Sequence, residues 1–111
     1  MSGMLKKLLK LQKYLIFEYM PQYTKENLKF AYQWKGDGIE YEGIDGFPSD
    51  KVLDRHNGFE VLHFINKYME YKGFRLITTF HKIEDLLRVH LLVSTRSYQQ
   101  IMEWLDANHI F

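Results

Sequence analysis

The sequence predicts an α+β domain in which an antiparallel four-stranded sheet carries helices on one face, in the order α-ββ-α-ββ-α. Apolar and polar residues alternate at 28–35 and again from Phe74 onward, which is typical of half-buried strands. Asp37-Gly38 is a strong signal for a hairpin turn. Between the two alternating regions, residues 57–72 have apolar side chains at helical spacing with their own start and stop signals.

The length and composition limit the class of protein. A chain of 111 residues predicts a single domain over 1–111, large enough to bury a core without disulfides. The absence of cysteine excludes thiol catalysis, disulfide frameworks and cysteine-based zinc sites. A formal net charge of +1 argues against nucleic-acid binding driven by the charge of the whole chain. No apolar run is long enough for a membrane span, so the expected setting is cytoplasmic.

Residues 4–20 predict a basic amphipathic helix, which ends before Pro21. Four lysines against Glu18 give this segment a charge of +3. Two interpretations stay open. Its leucines can dock on the domain while its lysines face water, or the segment can bind an anionic membrane or a groove on a partner. Peripheral membrane binding through 4–20 is therefore an alternative function.

Residues 28–43 predict the first hairpin. Phe30, Tyr32 and Trp34 alternate with polar residues and share one face, and Ile39 begins the return strand after the Asp-Gly turn. Aromatic residues on one face of a hairpin favour burial of that face. The opposite face would then be polar.

An acidic loop follows at 43–57. Between residues 36 and 60, seven acids face two bases, giving a local charge of −5. Asp45, Asp50 and Asp54 are candidates for contact with a basic partner. Their spacing does not match a calcium-binding EF-hand loop, so no metal site is predicted there. A solvated loop without a partner is the alternative.

The central helix, predicted over 57–72, has clear boundaries. Asn57 and Glu60 are placed for a capping box, and Gly73 is placed for a left-handed stop. The expected apolar stripe is Phe59, Leu62, Ile65 and Met69, widened by Val61, Phe64 and Tyr68. Glu60 and His63 are expected on the solvated face.

Residues 74–93 predict the second hairpin, with a loop at 82–85. Its outward side would form the predicted polar face, which consists of Arg75, Thr79, His81, Arg88 and His90. Guanidinium groups pair with phosphate and carboxylate, so this face could bind an anion. Residues 83–92 also have leucines at helical spacing, and in a helical structure this face would not exist.

The last helix is predicted over 95–108. It begins at Ser94 or Ser97, and Ser97 with Gln100 forms a second capping-box pattern. Its apolar stripe is Tyr98, Ile101, Met102 and Leu105.

The function is predicted by exclusion. The five histidines form no recognisable catalytic constellation, so the sequence argues against an enzyme, and no cofactor is expected. The favoured interpretation is a small non-catalytic protein–protein interaction module or regulator of the adaptor, immunity or mobile-element type. Its partner would be another protein or a second copy paired through sheet edges. The alternative to this module is an anion- or small-ligand-binding domain or enzyme that uses the predicted polar face.

Overall fold

A computed structural model describes residues 22–92, 94, 96–109 and 111. These residues contain four α-helices and no β-strand, so the predicted α+β class and its four-stranded antiparallel sheet are wrong. The helices are α1 (Ile39–Glu42), α2 (Gly58–Lys72), α3 (Ile77–Asp85) and α4 (Tyr98–Asn108). A π-helical turn, Leu86–His90, continues α3, and Lys25–Asn27 form a 3-10 turn. The predicted helix 4–20, with its membrane-binding alternative, lies outside the described residues.

Helix α2 has the predicted Asn57 cap and Gly73 stop, but not the predicted capping box, because the Glu60 carboxylate bonds the Tyr98 hydroxyl instead. The Asn57 side chain accepts a hydrogen bond from the Phe59 N–H at 3.2 Å. At the other end Gly73 has a φ of 74°, and its N–H and that of Phe74 bond the carbonyls of the last turn. Because both ends are satisfied locally, the helix boundaries are well defined by sequence.

The core lies where α2, α3 and α4 meet. The buried face of α2 is rotated relative to the predicted apolar stripe, because two residues of that stripe, Phe59 and Leu62, are only half-buried. The core's fully buried side chains include Val61, Phe64, Ile65 and Tyr68 from α2, Phe80 and Ile83 from α3 with Leu87 following, and Tyr98, Ile101 and Leu105 from α4.

The predicted position of Glu60 on the solvated face of the helix is also wrong. The residue is only 5% exposed. Its carboxylate accepts a hydrogen bond from the Tyr98 hydroxyl at 2.9 Å, which joins α2 to α4. Burial raises the pKa of Glu60 above its usual value, with the Tyr98 bond acting in the opposite direction.

The second predicted hairpin, 74–93, is helical instead from Ile77 to His90. The reason is that Phe80, Ile83 and Leu87, three and four residues apart, are all fully buried against the core. The period-two and helical patterns overlap in this stretch, and packing against α2 selects the helix. Of the two alternatives that the sequence leaves open for 83–92, helix is therefore correct for residues 83–90.

The end of this helical stretch is capped by a side chain from the loop before α2. Arg55 Nη1 donates to the Leu91 carbonyl at 2.9 Å and to the Leu87 carbonyl at 3.3 Å. A cation at a helix C-terminus also interacts favourably with the helix dipole. Arg55 thus ties the loop before α2 to the end of this stretch.

The first predicted hairpin, 28–43, is also wrong. Its return segment is helix α1, because Asp37 Oδ1 accepts from the Ile39 N–H at 3.0 Å and turns the chain into a helix rather than a strand. The outgoing segment pairs with the start of α2 at one point: Gln33 N–H donates to the His56 carbonyl, and Gly58 N–H donates to the Gln33 carbonyl, each at 2.8 Å.

Glu84 on α3 supplies the hydrogen bonds that a neighbouring strand would have supplied to residues 28–32. Its fully buried carboxylate accepts from the backbone N–H of Lys29 at 2.9 Å and of Phe30 at 3.2 Å. It also accepts from the Tyr32 hydroxyl at 2.7 Å. Burial and this bond raise the pKa of Tyr32, so its hydroxyl stays a donor. The segment is therefore attached to a helix side chain rather than to a sheet.

Trp34 packs directly on the first residue of α2. A Cβ atom built on Gly58 would lie 2.5 Å from Trp34 Cη2, so only glycine allows this approach. The indole also meets the Phe59 ring edge to face, with centroids 4.9 Å apart.

Helix α4 begins at Ser97 as its cap, which decides between the two predicted starts. Ser97 Oγ accepts from the Gln100 N–H at 3.0 Å, and Gln100 Oε1 accepts from the Ser97 N–H at 3.2 Å. This is the predicted capping box. The helix is shorter than the predicted 95–108 because Ser97 itself is the non-helical cap residue.

Replacing Glu84 with leucine is expected to lower the free energy of unfolding by about 3 kcal/mol. Leucine fills similar space but leaves the Lys29 and Phe30 N–H groups and the Tyr32 hydroxyl without their acceptor. Urea unfolding measures the loss. The matched control is Glu103→Leu on exposed α4 surface, with an expected change within about 0.5 kcal/mol. Equal losses in the two variants would contradict the role given to Glu84.

Gly58→Ala is expected to destabilise the protein by about 1–3 kcal/mol, although alanine is the better helix former. The added methyl group would overlap the Trp34 indole. Measuring Gly58→Ala in wild-type and Trp34→Ala backgrounds gives the coupling between the two sites. In the Trp34→Ala background the alanine should be neutral or stabilising. An unchanged penalty there would show that the indole does not lie on Gly58.

Candidate functional site

The face of α2 that points away from the core forms the floor of an open groove of about 680 Å³. Its α2 residues recur three or four positions apart, which places them on one helix face: Phe59, Leu62, His63, Asn66, Lys67 and Glu70. One wall is formed by residues 22–26. The other is formed by Asp37 and Gly38 before α1, with Glu42 at its end.

Polar side chains from α2 hold both walls in place. Asn66 Oδ1 accepts from the Tyr23 N–H at 3.0 Å, and Asn66 Nδ2 donates to the Tyr23 carbonyl at 2.8 Å. Lys67 Nζ donates to the Ile44 carbonyl just after α1. Gly38, with a φ of 83°, approaches the Phe59 ring so closely that a Cβ atom would lie 2.8 Å from Phe59 Cδ1. The groove is thus built from residues whose own bonds fix its shape.

The groove has an acidic rim over a partly apolar floor. Two lysines against four carboxylates leave its lining with a formal charge of −2. Hydrogen bonding to Thr24 holds the pKa of Glu26 below its usual value, so this carboxylate is charged at neutral pH. Phe59 and Leu62 are half-buried on the floor. The four carboxylates are those of Glu26, Asp37, Glu42 and Glu70.

His63 is half-buried in this groove rather than solvated as the sequence analysis expects. Its Nε2 is buried and has no hydrogen-bond partner among the described residues. Burial, with smaller contributions from the charges of Lys67 and Lys51, lowers the pKa of His63 to about 4. The imidazole is therefore neutral at pH 7, and no nucleophile or carboxylate in the described part of the chain orients it for catalysis.

The five residues of the predicted polar face do not form one surface, because the sheet that would align them is absent. His81 Nε2 donates to the Asn27 carbonyl at 2.8 Å. Arg88 Nη1 donates to the Arg55 carbonyl at 2.8 Å, and its guanidinium lies 4.9 Å from the centroid of the Tyr32 ring. Both side chains thus hold the irregular N-terminal half against the helices.

The remaining members of that set are dispersed. Arg75 is exposed in the connection between α2 and α3, and its carbonyl accepts from the Tyr23 hydroxyl. Thr79 is half-buried on α3, and His90 is exposed at the last π-helical position. No bond links these three to each other or to a common point.

The three candidates of the acidic loop have different environments. Asp45 and Asp50 are exposed. Asp54 is half-buried and structural, because Oδ1 accepts from the His56 N–H at 2.9 Å and Oδ2 lies 3.4 Å from Lys35 Nζ. The His56 backbone bond, followed by Lys35, lowers the pKa of Asp54. Within the described ranges, no three histidine or acidic side chains are placed to hold a metal ion.

The groove is not predicted by the sequence pattern, although several of its residues stand out there. The pattern predicts Phe59 and Leu62 in the core stripe and His63 on the solvated face. Asn66, four residues after Leu62, was the available signal, because an amide at that position interrupts an apolar stripe and is able to bond a neighbouring backbone.

No family model, curated protein or solved structure matches this chain. In the part of the chain that the structure describes, no helix has the length and apolar content needed to cross a bilayer. Function is therefore inferred from the groove itself.

Lowering the pH from 7 to 5 is expected to reduce the free energy of unfolding more in the wild-type chain than in a His63→Gln variant. The two losses should differ by about 1 kcal/mol after allowance for solvent screening. The folded-state pKa of His63 is about 4, below the ordinary value of 6.5. The unfolded chain therefore binds a proton in this range while the folded chain does not, and stability falls as the pH drops below about 6.5.

Urea unfolding of both proteins at the two pH values measures this difference. All other titrating groups are common to the pair, so they cancel in the comparison. The same pH-dependent loss in both proteins would contradict the buried environment of His63.

Proposed function

We propose that this chain is a non-catalytic protein–protein interaction module whose α2 groove binds a basic, amphipathic segment of another protein. The observation that carries the proposal is the combination of an apolar floor at Phe59 and Leu62 with a rim of carboxylates. Recognition of an amphipathic helix in a groove uses this pairing of an apolar line with complementary charges.

The dimensions and chemistry of the groove support a peptide ligand over an enclosed small molecule. Small-molecule sites usually bury most of the ligand in a largely apolar cavity. This groove is open and carries charged groups on both walls, from Glu26 on one side to Glu42 on the other. A basic segment could place apolar residues on the floor and lysine or arginine on the rim.

The alternative functions receive less support. Anion binding or catalysis on the predicted polar face would need His81 and Arg88, and both bond backbone carbonyls of the irregular segment. Nucleic acid would be repelled by the groove, because phosphates and the rim carboxylates have the same sign of charge. The sheet edges through which a second copy was expected to pair are absent from the described residues. The partner proposed is therefore another protein, and the setting proposed is cytoplasmic.

Reversing two rim charges is expected to weaken peptide binding roughly tenfold at low salt. The variant is Glu42→Lys/Glu70→Lys, which changes two exposed carboxylates of the groove. The probe is a fluorescein-labelled helical peptide of leucine and lysine with an amphipathic pattern, and fluorescence anisotropy measures its affinity. Raising the salt concentration should reduce the difference, because exposed charges are screened.

The matched control is Asp45→Lys/Asp50→Lys. It makes the same change in net charge at two exposed acids that do not line the groove. This control should keep the wild-type affinity apart from a small long-range effect. Equal weakening in both double variants would show that the peptide responds to overall charge or to the acidic loop, and the groove proposal would be rejected.

A further inference from the structure

The chain contains a segment with the properties that the groove requires. Residues 4–20 carry four lysines and one acid, giving +3, and the remaining residues of the chain carry −2. The segment also has an apolar stripe at helical spacing that includes Leu5, Leu8 and Leu15. It thus combines the charge and the apolar periodicity that complement the groove.

Chain connectivity brings this segment to the groove. Gln22, the first described residue, already lines one wall. The backbone of Tyr23 beside it is fixed to the side-chain amide of Asn66 on the floor by two hydrogen bonds. In sequence, Pro21 alone separates residues 4–20 from this wall. Binding within one chain is an intramolecular step, and a short connection gives it a high effective concentration when it can span the distance to the site.

We propose that the resident occupant of the groove is residues 4–20 of the same chain, bound by apolar contact with the floor and by pairing of its lysines with the acidic rim. This inference rests on the proposed function, since it requires that the groove accept a basic amphipathic segment. A partner segment of the same chemistry would then have to displace residues 4–20, and the affinity for it would be reduced by the occupied fraction. The contact is autoinhibitory.

The absence of cysteine in the natural sequence allows a direct test on the full chain. A single nitroxide is attached at Lys10→Cys, and NMR measures the paramagnetic broadening of backbone amides. The expected result is strong broadening along the groove, at Leu62, Asn66 and Glu70. Gln99 and Glu103 on α4, which do not line the groove, serve as the reference. Broadening that is equal at both sites, or absent from the groove, would overturn the inference.

A mixed sample shows whether the segment in the groove belongs to the same chain or to a second copy. Spin-labelled chain without isotope is added to ¹⁵N-labelled chain without the nitroxide. Occupancy by the same chain predicts no groove broadening in the mixture. Groove broadening in the mixture, scaled by the fraction of spin-labelled chain, shows that the segment comes from a second copy, and the inference is then wrong.

A final comparison distinguishes this inference from the proposed function. The leucine–lysine peptide is titrated into the wild-type chain and into Leu5→Ser/Leu8→Ser/Leu15→Ser, which leaves the net charge unchanged. The inference predicts at least tenfold tighter binding to the variant. Equal measurable affinity in both proteins rejects the inference and leaves the proposed function standing. No binding to either protein rejects the proposed function and with it the inference.

Discussion

The buried carboxylate of Glu84 is the interaction on which the rest of the structure depends. Residues 28–32 are irregular, with a bend at Phe30 and no neighbouring strand, and backbone polar groups in such a segment need partners from elsewhere. The Glu84 carboxylate on α3 satisfies these groups, because it accepts hydrogen bonds from the N–H groups of Lys29 and Phe30 and from the Tyr32 hydroxyl. Other helix side chains also bond the backbone of the irregular N-terminal half. Asn66 bonds the backbone of Tyr23, and Arg88 donates to the Arg55 carbonyl.

Features determined by local interactions could be predicted from the sequence, and features determined by packing could not. The Asn57 cap of α2 and the Ser97 capping box of α4 depend on side chains within a few residues of each other, and both are confirmed. The alternation in the stretch 77–90 predicts a hairpin strand. The buried contacts of Phe80 and Ile83 with distant helices favour the helix instead.

The groove exists because the two faces of α2 have different contacts. One face of this helix fills the core, and the opposite face combines half-buried Phe59 and Leu62 with polar residues that fasten both walls. A hydrophobic pattern separates core positions from solvated ones, and a residue that is half-buried beneath an open groove belongs to neither group. His63 is an example. Its neighbours in sequence predict a solvated side chain, whereas burial in the groove lowers its pKa to about 4.

The most direct test of this account is amide hydrogen exchange at Lys29 and Phe30, measured by NMR in the wild-type chain and in Glu84→Leu. We expect both amides to be protected in the wild-type chain and to exchange rapidly in the variant, while Val61 and Ile65 in the middle of α2 keep their protection relative to global unfolding. Unprotected amides in the wild-type chain, or protection that survives the loss of the carboxylate, would contradict the claim that Glu84 holds residues 28–32 on the helices.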